Sequence, residues 1–340
     1  MGKRYRWAIL GCGKIARKFS HDLKRLPNAC LYATASRDLT RAREFAAEFG
    51  FEKAYGSYEG MAADPRVDIV YIATPHALHK EHTLLCLNHK KAVLCEKAFA
   101  INSREVKEMI DCSRRNKTFL MEAFWTRFQP SFQKALEFIQ SGELGRLRMV
   151  RSDFAFNSPK DPARRLYNVD LGGGSLLDIG IYPVFASLIT LGKPSQIKTM
   201  ATFSNTGIEE TISMNFGYPG GEMASLVSSF ASYSSVQTEF WCEHGYLRLN
   251  KRWFTPTQIM VWKEGEQGEQ AVESGAVEGQ GYHLEAAHVM ECLDSGKTES
   301  DLLPLRFSLD LMELLDQVRN DAGIVFAKHD DTGGSPGQKK

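Results

Sequence analysis

The stretch Arg6-Trp7-Ala8-Ile9-Leu10-Gly11-Cys12-Gly13-Lys14-Ile15-Ala16 decides how the rest of the chain is read. A short apolar run ends in a glycine turn, and a helical pattern opens at once. This is the Gly-x-Gly-x-x-Ala form of the dinucleotide-binding turn. Gly11 permits the tight strand-to-helix reversal. Gly13 has no side chain, so backbone amides approach a pyrophosphate closely. Ala16 is small enough for helix and strand to pack together. The helix opening at Lys14 and Ile15 then aims its free N–H groups and positive dipole end at the phosphates. An ordinary tight turn could carry the same residues. Here a strand precedes, a helix follows and a second strand comes at the expected distance, so cofactor binding by Gly11, Cys12, Gly13, Lys14 and Ile15 is the stronger reading.

Around this turn, the pattern up to residue 123 alternates apolar runs with helical periodicity, as parallel βαβ units do. Strands are expected at Arg6–Leu10, Cys30–Ser36, Asp68–Ala73, Ala92–Cys95 and Thr118–Met121, with helices opening near Lys14, Leu39, His76 and Ser103. Ligands in such sheets sit at the carboxyl ends of the strands, so the strand tips hold the candidate site residues.

The second tip reads Ala35-Ser36-Arg37-Asp38. An acid in the last position would bind the ribose hydroxyls of NAD. A hydroxyl and a guanidinium suit a 2′-phosphate instead, so NADP is expected, with Asp38 leaving NAD as the alternative. The next tip, Ala73-Thr74-Pro75-His76, runs into Leu78-His79-Lys80-Glu81-His82. Three histidines in steps of three share a helix face, but no Cys, Asp or Glu set of ligand spacing joins them. No metal is expected; Thr74, Pro75, His76 and His79 are expected at the nicotinamide pocket. The following tip, Cys95-Glu96-Lys97, puts a charged pair directly after a buried strand. A salt-bridged turn and a functional lysine are equally good readings of it on spacing alone.

The 340 residues exceed one typical domain, so two are expected. A net charge of +1 with interspersed signs gives no basis for a nucleic-acid groove or a membrane surface. No apolar run reads as long enough to span a bilayer, and the N-terminus leads straight into the first strand, with no room for a signal peptide. Seven scattered cysteines without a Cys-x-x-Cys pair suit reduced thiols in the cytoplasm.

After Glu122 the character changes. Phe124-Trp125-Thr126-Arg127-Phe128 is an aromatic, basic crossover, and Pro130–Ser141 reads as a helix stopped by Gly142. From Arg146 to about Trp262 the runs are β-like, with hairpin turns between several. They predict one large, mostly antiparallel, open-faced sheet, with another subunit covering the outer face. Val227, Phe230, Tyr233, Phe240 and Trp241 are expected to need such a cover. Helices near Tyr282–Leu293 and Phe307–Asp321 follow; His283 and His288 in the first read as packing or solvated positions. The chain is thus divided into residues 1–123 (parallel Rossmann-type sheet), 124–330 (α+β substrate and dimerisation domain) and a disordered tail, 331–340.

The segment Leu171-Gly172-Gly173-Gly174-Ser175-Leu176-Leu177-Asp178-Ile179-Gly180-Ile181-Tyr182-Pro183 lies within the β-rich half. If a helix begins near Ser175, Asp178 and Tyr182 stand one turn apart on one face. Pro183 kinks that helix or restarts it just after Tyr182. An acid beside a tyrosine suits acid–base work; a capping Asp with a core Tyr is the competing reading.

Together these pieces resemble the glucose–fructose oxidoreductase, inositol dehydrogenase and rhizopine-catabolism (Gfo/Idh/MocA) oxidoreductases, in particular the dimeric dihydrodiol dehydrogenase and NADP-dependent xylose dehydrogenase branch. The matching residues are Gly11–Ala16, Ala73–His79, Cys95-Glu96-Lys97, Met121–Phe128 and Gly172–Tyr182. The resemblance implies a Rossmann domain, an open-faced sheet domain, dimers through that sheet, and catalytic positions at Lys97, Asp178 and Tyr182. Two departures stand out: Ala98 replaces the usual proline, and Tyr182 replaces the histidine of many relatives. Glu96 and Lys97 are expected beside the cofactor, and Trp125, Arg127, Phe154 and Tyr182 around the substrate. The expected activity is NADP-dependent hydride transfer at a secondary alcohol or hemiacetal carbon of a sugar, polyol or cyclic diol. A nicotinamide-dependent glycoside hydrolase and a non-catalytic NADP-binding regulator are the alternatives; a homodimer or dimer of dimers is the expected assembly.

Overall fold

The computed structural model describes residues 3–330; the expected tail lies outside them. The first sheet has six parallel strands in the order β3-β2-β1-β4-β5-β6. These are β1 (Tyr5–Leu10), β2 (Ala29–Ala35), β3 (Lys53–Tyr55), β4 (Ile69–Ile72), β5 (Ala92–Glu96) and β6 (Leu120–Ala123). Between them run α1 (Lys14–Leu23), α2 (Leu39–Phe49), α3 (Tyr58–Ala62), α4 (His79–Asn88) and α5 (Ser103–Asn116). The order reverses between β1 and β4, which opens the crevice where such sheets bind ligands. β4 and β5 are buried along their whole length, as strands covered on both faces are. Trp7, Phe19 and Tyr71 form an aromatic column, Phe19 stacking on Tyr71 at 3.7 Å.

Local chemistry sets the helix ends. Asp38 caps α2, its carboxylate accepting from Thr40 N and Arg41 N, and Asn102 caps α5 through Glu105 N. α6 (Pro130–Ser141) opens on proline and stops at Gly142. Instead of opening at His76, α4 is preceded by one tighter turn over His76–Leu78.

The second sheet has eight strands in the order β14-β13-β12-β11-β7-β10-β9-β8. They are β7 (Leu147–Ala155), β8 (Gln196–Phe203), β9 (Glu209–Gly217), β10 (Met223–Ser229), β11 (Thr238–Cys242), β12 (Gly245–Leu249), β13 (Ile259–Lys263) and β14 (Gln270–Val272). Only β7 and β10 pair in parallel. Ile212, Met214, Leu226 and Phe240 are buried on the inner face, while Met200, Met223 and Trp241 are exposed on the outer one. Phe230 and Phe240 therefore correct the expectation: both are fully buried inward, and Tyr233 lies beyond the strands. The short β3, α3 and β14 carry too few residues to show a period and were not expected.

α7 (Ile181–Leu191) lies on the inner face of this sheet, next to β7 and β10. A π-helical turn over Leu176–Gly180 leads into it, and Pro183 falls in its first turn, where a missing N–H costs little. The stretch Val169–Leu191 is long and apolar enough to cross a bilayer, against the expectation, but 83% of its most apolar 18 residues are buried in the protein. A helix apolar all round is a core helix when packed in this way. The chain closes with α8 (Tyr282–Asp294) and α9 (Leu305–Ala322), which return to pack on α1 and α5 of the first sheet.

Candidate functional site

A cavity of about 540 Å³ opens at the carboxyl ends of β1, β2, β4 and β5 and is closed on its far side by α7 and α8 residues. Gly11, Cys12, Gly13, Lys14 and Ile15 line it, with Ser36, Arg37, Thr74, Pro75, His76, Glu96, Lys97, Trp125, Asp178 and Tyr182. Gly11 has φ +100°, and a Cβ there would lie 3.0 Å from Thr74 Cγ2, so only glycine fits. At Gly13 a Cβ would meet no protein atom closer than 3.8 Å. α1 has no side-chain cap and no acid in its first turn, so its leading N–H groups are available to a pyrophosphate.

At one end of the cavity, Asp38 is held as the cap of α2 and does not line the space; Ser36, Arg37 and Arg41 do. Arg41 donates to Cys12 O at 3.0 Å, tying α2 to the glycine turn. Two guanidiniums, Arg37 after β2 and Arg41 on α2, and the Ser36 hydroxyl thus border this end of the cavity.

At the other end Lys97, Asp178 and Tyr182 converge. The Lys97 ammonium donates to the backbone carbonyl of Asp178 at 2.6 Å and lies 3.6 Å from its carboxylate. Arg165 donates to the same carboxylate at 2.9 Å. Burial pushes the Asp178 carboxyl up, but Arg165 and Lys97 outweigh it and hold the group well below the usual carboxylate range. Lys97 Nζ also lies 5.0 Å above the Tyr182 ring. The Tyr182 oxygen accepts from Trp125 Nε1 at 3.0 Å, which leaves its own O–H free to point into the cavity. Burial raises the Tyr182 phenol well above its ordinary value, with the Trp125 N–H opposing. Trp125 is fixed in turn by stacking on Tyr282, 4.2 Å between ring centres. The Lys97–Ala98 peptide bond is cis.

Glycine also shapes the approach to α7. Gly174 has φ +125°, and a Cβ there would run into the Glu209 carboxylate. Without it, Glu209 accepts from Leu176 N at 2.6 Å and starts the turn that carries Asp178.

Three expected residues lie elsewhere. His79 stands behind the cavity, with Nδ1 2.8 Å from Ala98 O and Nε2 2.8 Å from Thr74 O; it braces two loops. His76 does line the cavity, with Nδ1 3.1 Å from Gly172 O, and burial keeps it neutral. Arg127 turns away, its Nε donating to Leu302 O at 3.0 Å. Phe154 packs behind Tyr182, stacked on Phe254 at 4.3 Å. Five lining residues are not among those expected: Arg41, Tyr58, Ala73, Arg165 and Tyr282. Arg41 lies in the first turn of α2, four residues after Arg37, which precedes the helix. Arg165 and Tyr282 come from distant segments with no local signal.

A family model described as an oxidoreductase family with an NAD-binding Rossmann fold, GFO_IDH_MocA, matches residues 5–124. The GFO/IDH/MocA C-terminal domain matches residues 132–248. The chain belongs to the Gfo/Idh/MocA oxidoreductases and carries their nicotinamide-dinucleotide fold. It is 40% identical over 328 residues to trans-1,2-dihydrobenzene-1,2-diol dehydrogenase of Mus musculus, covering 94% of this chain and 98% of that one. The Homo sapiens protein of the same name is 38% identical over 330 residues, with the same coverage. Among solved structures, a 3-ketoreductase from Actinomadura kijaniata in complex with NADP and TDP-benzene superposes with a TM-score of 0.85 at 25% identity, covering 94% of this chain and 98% of that one. An aldose–aldose oxidoreductase from Caulobacter crescentus, complexed with glycerol, shares the fold at TM-score 0.87 and 23% identity, with the same coverage.

Proposed function

We propose that this chain is an NADP-dependent dehydrogenase acting on a secondary alcohol or hemiacetal carbon of a sugar, polyol or cyclic diol. The observation that carries the reading is the meeting of Lys97, Asp178 and Tyr182 at one end of a cavity whose other end holds Ser36, Arg37 and Arg41. The diol dehydrogenases at about 40% identity support the substrate class.

The nicotinamide supplies the hydride acceptor or donor when bound. Tyr182 handles the proton. Buried and neutral, it is a donor to a carbonyl oxygen in the reducing direction. In the oxidising direction it takes the hydroxyl proton once nearby positive charge lowers its pKa. Lys97 supplies such charge and reaches the substrate oxygen from the strand tip. Asp178, clamped by Arg165, keeps Lys97 in place; its negative charge opposes phenolate formation, so its part is orientation. The competing assignment makes Lys97 the base and Tyr182 a binding group.

The exposed Met200, Met223 and Trp241 on the second sheet support a homodimer through that face. The free cysteines fit a reducing cytoplasm. Titration with NADP and NAD, followed by a polyol and diol screen read at the nicotinamide absorbance, tests the function. Tighter NAD binding, or turnover without net cofactor reduction, overturns it.

A further inference from the structure

Outside the lining of the cavity, the last turns of α8 meet the loop that follows them, and three metal-type donors come together there. We propose that His288, Cys292 and Asp301 form a binding site for one divalent ion of the zinc type. His288 and Cys292 are four residues apart, so their side chains share one face of α8. His288 Nε2 lies 3.4 Å from Cys292 Sγ and 3.8 Å from Asp301 Oδ1. All three donor atoms fall within 4.8 Å of one another, and no other such trio occurs among the described residues. A tetrahedral zinc with ordinary Zn–N and Zn–S bonds holds its nitrogen and sulfur roughly 3.5 Å apart. The N–S spacing already matches, and the carboxylate oxygen, 3.8 Å from the nitrogen and within 4.8 Å of the sulfur, draws in to complete the set.

The surroundings fit a cation. Glu291 Oε2 stands 4.0 Å from His288 Nδ1, the side on which metal-bound imidazoles keep a carboxylate partner. The cluster lies at the carboxyl end of α8, where the helix dipole is negative. Cys292 is 2% exposed and Phe128 covers the imidazole at 5.1 Å, whereas Asp301 faces solvent and provides the way in. Thiolate, imidazole and a single carboxylate suit zinc-like ions, not calcium or magnesium.

Hydrogen bonds hold the donors ready. Ser300 Oγ lies 2.7 Å from His288 Nε2 and accepts from Leu302 N and Leu303 N. Lys297 pairs with Asp301 through Oδ2 at 3.0 Å, leaving Oδ1 toward the cluster. The loop itself is anchored, Thr298 O accepting from Leu120 N at 3.1 Å. Binding would replace the Ser300 contact on Nε2 and release the thiol proton. It would pin α8 to the loop that docks on β6. The histidines of the crevice differ: His76, His79 and His82 are each engaged with a carbonyl or hydroxyl, and among the described residues they belong to no such donor trio.

Chelator-treated full-length protein titrated with Co2+ tests the site. The expected result is one equivalent per chain, with a near-ultraviolet thiolate-to-cobalt band displaced by Zn2+, and a rise in melting temperature. Cys292→Ser should lose the band and the rise while melting as cooperatively as the wild type. Asp301→Asn, at a solvent-facing position, should keep the band but bind cobalt more weakly. Absence of a thiolate band in the wild type at millimolar Co2+, or a band unchanged in Cys292→Ser, overturns the proposal.

Discussion

The ammonium of Lys97 is bonded to the backbone carbonyl of Asp178 at 2.6 Å, 81 residues further along the chain. Through that contact the tip of β5 in one sheet is fixed to the π-helical turn under the other. The lysine is thereby held over the face of the Tyr182 ring, 5.0 Å from its centre. The Asp178 carboxylate adds a charge 3.6 Å from the same ammonium; if that charge orients Lys97, Asp178→Asn, which keeps the carbonyl contact, should lower turnover well below wild type and leave NADP affinity nearly unchanged. Parallel titration and steady-state kinetics check this; an equal loss in both would show a folding defect instead.

Arg37, just after β2, and Arg41, on α2, should set cofactor choice. Arg37→Ala and Arg41→Ala should each weaken NADP, because a charge-assisted hydrogen bond is worth about 1.5–3 kcal/mol, at least roughly tenfold. NAD affinity should change little, since Asp38 is committed to capping α2. Fluorescence titration of each variant with both cofactors reads the difference; equal losses for NAD and NADP would contradict the assignment.

Glu285 makes stability depend on pH. It is fully buried on α8, and neither carboxylate oxygen has a hydrogen-bond partner among the described residues. Burial, with the Glu96 charge nearby, pushes its pKa well above the ordinary value. In the unfolded chain it ionises near about 4.3. Above that pH the unfolded state has lost a proton that the folded state keeps, so this contribution to stability falls as pH rises toward the folded value. Glu285→Gln removes the dependence. Its melting temperature relative to wild type should therefore climb between about pH 5 and about pH 8; parallel curves would mean the carboxyl is paired.

The outer face of the second sheet should hold a partner copy. Light scattering at micromolar concentration should give a dimeric mass for the wild type. Trp241→Glu should shift it toward the monomer with the circular dichroism unchanged. A monomeric wild type would remove the dimer.

The glycine turn was legible because every residue it needs lies within Arg6–Ala16 and obeys local rules. The alternation into two sheet types was legible for the same reason: period and turn chemistry are local. Lys97, Asp178 and Tyr182 were located by resemblance and by tip position, yet their mutual geometry was not readable. It depends on a π-helical turn that no pattern announces. The burial of Phe230 and Phe240 and the turning away of Arg127 were set by packing across the fold. His79 was placed on the correct helix, but two carbonyls reached only after folding hold it behind the cavity. Arg165 and Tyr282 reach the site from segments that carry no motif.

The most direct test of the central claim is the turnover of Tyr182→Phe, measured across pH beside Lys97→Met, with NADP affinity determined on the same samples. The phenol-to-phenyl change removes the proton-handling group and leaves the ring packing. Loss of turnover by about 10²–10⁴-fold, at near-normal NADP affinity, is the predicted result. Near-normal turnover of Tyr182→Phe at every pH, with Lys97→Met inactive, would contradict the role given to the tyrosine. Near-normal turnover of both would contradict the site itself.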